Sequence, residues 1–218
     1  MQKDEQIRNS FAEWSVENGT EFQIELYEKW EEYRVDFFEN ASMVKPVIEL
    51  LPPGRPITYG CYWPKNPSGL SGQILLRPSL YWGTHPDINA EAPIEGRVRF
   101  IQDVLLHEMV HQYQFEIINK PDASYGGHGP AFRDQCNRIG KILGLAKVRT
   151  CKMRGADREL PSCSQWPHNV RGSDYYLGAY IREERFNQES DRTVTISIPA
   201  RLKDKVKQFI KTETDQVA

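Results

Sequence analysis

Two histidines one helical turn apart, with a glutamate beside the first, are the residues of this chain most able to do chemistry. They lie in His107-Glu108-Met109-Val110-His111. At i and i+4 of a helix, both imidazoles project from one face and can reach a single ion. Glu108 sits about 100° round the helix from His107, so it can lean over a metal-activated water without joining the ligands. A zinc ion lowers the pKa of such a water towards about 7, and a neighbouring carboxylate can take the proton and pass it to a leaving amine. One catalytic zinc needs a third protein ligand and an open fourth position. His128, in Gly126-Gly127-His128-Gly129-Pro130, is the candidate, because flanking glycines let the backbone fold tightly and carry its ring over the first helix. His85 and His168 lack such a context and read as surface residues.

The elements that must position these groups are legible in outline. Val98, Ile101, Val104, Leu105 and Met109 recur at helical spacing within residues 95–118, and Pro121 closes that helix. Pro130 suits the first turn of a following helix, on which Phe132, Cys136, Ile139 and Leu143 form a stripe, with Gly144 at its C-terminal end. Upstream, Phe22, Leu26, Trp30, Tyr33 and Phe37 place a core-facing helix over residues 20–42. Three short β-like runs then follow, PVIEL, ITYGCYW and GQILLRPSLYW, separated by proline- and glycine-rich turns. Residues 147–191 are polar and turn-rich, whereas 192–218 regain order as an alternating TVTISIP strand and an amphipathic helix with Leu202, Val206, Phe209 and Ile210.

Composition sets wider bounds. The chain has 218 residues, 39% hydrophobic and 27% charged, with a net charge of −2, as expected of an ordinary soluble protein. No apolar run is long enough to span a bilayer, and the first residues lack the apolar core of a secretory signal, so a cytoplasmic location is expected. Cys61, Cys136, Cys151 and Cys163 form no C-x-x-C pair and read as reduced thiols. Charge is uneven: residues 1–40 hold four Lys/Arg against eleven Asp/Glu, and residues 147–211 hold fourteen against eight. A basic C-terminal third can meet nucleic acid, but a solvated surface explains it equally well.

The paired motifs HEMVHQYQF and GGHGPAF, joined by a polar loop, resemble the SprT-like metallopeptidases, including Spartan-type proteases. The resemblance covers about residues 20–145 and implies an α+β fold. That fold is a minigluzincin-like zincin with a three-stranded sheet packed on an N-terminal helix and the HExxH helix. It implies His107, His111 and His128 as ligands of one Zn2+ ion and Glu108 as general base of a zinc metalloendopeptidase. It further implies protein substrates, including DNA-associated or DNA-crosslinked ones, with DNA as activator or scaffold, and hence a nucleoid association. By the same analogy GQILLRPSL is either a substrate-binding edge or an ordinary sheet strand.

The domain organisation expected is an N-terminal extension (1–19), a SprT-like domain (20–146), an irregular basic segment (147–191) and a strand-helix tail (192–218). Many family members carry a zinc ribbon where the basic segment stands. Here Cys151, Cys163 and His168 lack an evident fourth ligand, so no such ribbon is expected. The tail resembles the strand and first helix of ribbon-helix-helix proteins. It supports a second reading, a DNA-binding or regulatory protein in which the zincin domain is a scaffold. Tyr125, Tyr175, Tyr176 and His168 are each able to stabilise an oxyanion. The sequence does not fix the oligomeric state.

Overall fold

A capping box opens the first helix, α1 (Glu21–Phe37): the Thr20 side chain accepts from the Gln23 N–H, and the Gln23 amide reaches back to the Thr20 N–H. Phe22, Leu26, Trp30, Tyr33 and Phe37 are buried as their spacing requires, joined by Tyr27. The computed structural model describes residues 20–39, 41–51, 53, 58–64, 72–152 and 155–181. The expected N-terminal extension and strand-helix tail lie outside the described residues.

Three short strands follow: β1 (Val47–Glu49), β2 (Gly60–Trp63) and β3 (Gln73–Leu76). Their order is β1-β3-β2, with β1 parallel and β2 antiparallel to β3. The run GQILLRPSL therefore holds the central strand, not an edge, and its backbone is paired on both sides. The reading of it as a substrate-binding edge is overturned. The strand is also shorter than its apolar run suggests. Pro78 has no N–H for a ladder and instead starts a short helix, α2 (Pro78–Trp82), closed by Gly83 in the left-handed region at φ 72°.

The long helix α3 (Ile94–Tyr113) carries the HExxH run, and nearly all of its circumference is covered. Its buried residues include Phe100, Ile101, Val104, Leu105, Leu106, Met109 and Val110. Such a helix forms the centre of a core rather than a surface element. It is tied to α1 by a buried bond from the Trp30 indole N–H to Gln112 Oε1 (3.0 Å). The same Gln112 donates to the Val44 carbonyl (2.6 Å), so it also anchors the segment entering β1. At Gln114 the α-helix widens into a π-helical turn, Gln114–Ile118, before Asn119 ends it in the left-handed region. Helix α4 (Pro130–Ile142) follows, its Phe132, Cys136 and Ile139 buried against the core.

Residues 147–181 are irregular, as their polarity indicates, yet they pack on α3 through Trp166, Tyr176 and Ala179, all fully buried. They belong to the same compact unit as the helices, which ends at Arg182; a second unit, 183–218, lies outside the described residues. A buried ion pair fastens the segment down. The Arg171 guanidinium meets Asp103 of α3 through two bonds, of 2.6 and 3.0 Å, and the Tyr176 hydroxyl donates to the same carboxylate (2.7 Å). Burial pushes the Asp103 carboxyl up, and the bonds from Arg171 and Tyr176 pull it back.

His85 and His168 are buried, at 5% and 3% exposure, which corrects their reading as surface residues. His168 stacks on Phe100, centroids 4.1 Å apart, and its Nδ1 meets the Tyr176 hydroxyl at 3.0 Å. Both histidines fill the aromatic layer around Tyr59 and Phe100, a role that an isolated imidazole in a polar stretch does not announce.

Candidate metal centre

The three candidate histidines converge. His107 and His111 face the same way from successive turns of α3, and the loop before α4 brings His128 onto them. His128 Nε2 lies 3.1 Å from His107 Nε2 and 3.2 Å from His111 Nε2. Gly126 and Gly127, at φ 57° and 88°, provide the left-handed turns that carry the loop back over the helix. Phe132, from the first turn of α4, touches all three rings at centroid distances of 4.9, 4.3 and 4.8 Å, forming an apolar floor. Among the described residues these three form the one group of His, Cys, Asp or Glu able to hold a metal ion.

The geometry can be tested against a cation. Tetrahedral ligand nitrogens at about 2.0–2.1 Å from a first-row ion lie about 3.3 Å from one another. The observed spacings of 3.1 and 3.2 Å meet that requirement. Ring protonation is a poor alternative way to fill the space between the nitrogens. Burial holds His107 at a pKa of about 3, depresses His111 well below its usual range and lowers His128. The rings are neutral at physiological pH, with lone pairs to share, and a divalent cation suits that donor set.

The other side of each ring is also engaged. His107 Nδ1 lies 2.6 Å from the Trp166 carbonyl, an acceptor only, so Nδ1 carries the proton and Nε2 keeps its lone pair. His111 Nδ1 meets Gln114 Oε1 at 3.3 Å. The His128 backbone is clamped: its carbonyl accepts the Cys151 N–H (3.1 Å) and the Cys163 thiol (3.4 Å). Trp166 and Gln114 carry no signal in the sequence reading, and Cys163 stands there only as a reduced thiol without a complete set of zinc ligands. Gln114 stands at i+3 from His111 and was within reach of a spacing argument; a backbone carbonyl 59 residues downstream of His107 was not.

Glu108 is buried, 5% exposed, and follows His107 along α3. Burial raises its pKa from the ordinary 4.5 to about 8, against the lowering effect of the Tyr62 backbone N–H. Strand β2 supplies both that N–H and the space for the carboxylate. A Cβ at Gly60 would lie 2.9 Å from Glu108 Oε1 and 2.7 Å from Val104 Cγ1, so only glycine lets β2 approach this closely.

Of the four residues able to stabilise an oxyanion, Tyr176 and His168 are committed to the Asp103 network. Tyr175 lies beneath the Arg171 guanidinium, 4.0 Å from its ring centroid. Tyr125 stands nearest the three histidines along the chain, its carbonyl accepting the His128 N–H at 3.1 Å.

No helix among the described residues is long and apolar enough to cross a membrane. No curated protein and no solved structure matches the chain. The model of the SprT-like family matches residues 79–152. The matched stretch carries all three imidazoles and Glu108.

Proposed function

We propose that this chain is a zinc-dependent endopeptidase of the SprT-like type, built on a minigluzincin-like zincin fold. The observation that carries the proposal is the meeting of three neutral imidazole nitrogens, two of them from the helix that also holds the buried Glu108 carboxylate. His107, His111 and His128 would hold the ion, leaving a fourth position for water or substrate. A zinc ion there supplies Lewis acidity to a water molecule and to the scissile carbonyl. Glu108 takes a proton from the attacking water and returns it to the departing amine nitrogen. The apolar floor of Phe132 excludes bulk water and strengthens each electrostatic contact. Strand β2, the outer strand that touches Glu108, is the edge beside which an extended peptide would lie.

The proposed substrates are proteins, among them DNA-associated or DNA-crosslinked ones, with DNA as activator; the family resemblance and the basic C-terminal third support this. The test is metal content of the purified protein, followed by cleavage of casein and of the protein itself, with and without single-stranded DNA. One equivalent of zinc and cleavage lost in Glu108→Gln are expected. Absence of bound metal, or equal cleavage by Glu108→Gln, removes the mechanism. Truncation at Asp191 tests the second reading, which needs the tail for DNA binding.

A further inference from the structure

We propose that Gln114 and Asp122 are positioning residues: together they fix which nitrogen of His111 carries its proton, and they lock the His128 loop to that choice. The inference deepens the metal-centre reading and rests on it.

The argument begins at the carboxylate. Asp122 Oδ2 accepts three N–H donors: the Gln114 side-chain amide (2.9 Å) and the backbone N–H groups of Ala131 (2.9 Å) and Phe132 (3.2 Å). The last two are orphan donors of the first turn of α4. They need an outside partner, since Gly129 at the N-cap has no side chain. Asp122 is in effect a cap supplied from seven residues upstream, and its negative charge suits the positive end of the helix. The sequence leaves room for it. A Cβ at Gly129 would come within 2.5 Å of Asp122 Cγ and 2.8 Å of its Oδ1, so glycine is required there by close approach.

A carboxylate accepts and cannot donate, so the Gln114 group facing it must be the NH2. Gln114 is fully buried, and with its NH2 committed, its Oε1 is the end presented to His111. An amide oxygen only accepts. His111 Nδ1, at 3.3 Å, must therefore carry the proton, and Nε2 is left with a lone pair directed at the other two imidazoles. Two acceptor-only groups in series thus dictate a tautomer. The same Asp122 oxygen holds the first turn of α4, and with it Phe132 and the loop that delivers His128. One atom couples the second ligand to the third.

Gln114 opens the π-helical turn at the end of α3. A widened turn at this point gives α3 a side chain that reaches across to Asp122, in keeping with the frequent use of π turns at functional sites.

The test uses the full chain with three variants: Gln114→Met, Asp122→Ala and the double substitution. Alanine removes the acceptor for the Gln114 amide and the cap of α4 together, because one oxygen serves both, and the thermal melts register the share of the cap. Long-range 1H–15N spectra of the metal-free protein at about pH 7.5 read the tautomer of each histidine. Zinc affinity is read by chelator competition and folding by thermal melts. His111 is expected as the Nδ1–H form in the parent and as a mixture in both single variants. Zinc affinity should fall roughly 10- to 100-fold in Gln114→Met. The double variant should show the same His111 tautomer mixture as Gln114→Met, because Asp122 acts on that ring through Gln114. Unchanged tautomers overturn the proposal even if affinity falls, since packing alone would then be at work; a tautomer shift in the double variant beyond that of Gln114→Met overturns it as well. If the parent chain binds no zinc, the metal reading fails by itself, and the tautomer comparison still decides the positioning claim.

Discussion

Glu108→Gln in the metal-free protein separates the electrostatics of the site from its catalysis. An isolated glutamate titrates near 4.5, and burial raises Glu108 to about 8. Below about pH 4.5 the folded and unfolded chains are both protonated here, and the residue adds no pH dependence. Between 4.5 and 8 the unfolded chain releases the proton while the folded one keeps it, so stability falls as pH rises. Above 8 both have ionised, and the folded chain bears the full cost of a buried carboxylate. That cost is up to about 5 kcal/mol, taking about 1.4 kcal/mol for each tenfold change in proton affinity. Glutamine occupies the same space and accepts the Tyr62 N–H without a charge. The depressed histidines destabilise both proteins equally as pH falls below about 6.5, so they cancel in the difference.

Urea denaturation in excess chelator, run from about pH 5 to 9, should therefore show Glu108→Gln gaining on the parent by several kcal/mol toward high pH. Saturating zinc should shrink the gap, since a cation beside Glu108 favours the carboxylate. A gap that stays flat across that range in the metal-free protein would refute the claim that burial governs Glu108.

Three further outcomes follow from the contacts. Gly60→Ala places a methyl group 2.7 Å from Val104 Cγ1 and 2.9 Å from Glu108 Oε1; a stability loss of about 1–3 kcal/mol is expected by denaturation. Displacement of Glu108 should also cut casein cleavage by at least about tenfold. Arg171→Met leaves the fully buried Asp103 without its ion-pair partner, and denaturation at neutral pH should register a loss of about 3–5 kcal/mol. His128→Ala leaves two of three imidazoles, and zinc should no longer survive dialysis, as measured by plasma mass spectrometry; retention at one equivalent would show that His128 is not a ligand.

What the sequence made legible was local. The stripe from Phe22 to Phe37 and the HExxH helix rest on periodicities that survive inspection of a single segment. His128 was accessible because glycines and a helix-starting proline surround it. Strand order was not, since β1 and β2 flank β3 through pairings between segments that alternate alike. Pro78 was the available clue that the third run breaks into a helix, and its weight was lost among apolar neighbours. His168 shows the opposite failure. Trp166 and Val170 lie two residues to either side but do not themselves announce its burial, because Phe100 and Tyr59, the surfaces that cover it, come from far away in the chain.

The same distance effect explains how the site extends past its motifs. The SprT-like match ends at residue 152, yet His107 is oriented by the Trp166 carbonyl and the His128 carbonyl is held by the Cys163 thiol. Further along the same segment, the ion pair of Arg171 with Asp103 lands one helical turn before His107 on the same helix. The irregular segment is therefore not a spacer after the SprT-like match. It returns to α3 beside His107, where the Trp166 carbonyl sets the tautomer of that ring, and the Asp103–Arg171 pair joins it to the same helix. A sequence motif records which atoms can bind a cation; the polar groups that aim those atoms are recruited from wherever the fold brings an acceptor close. In this chain that recruitment draws on Gln114 and Asp122 on one side and residues 163–171 on the other.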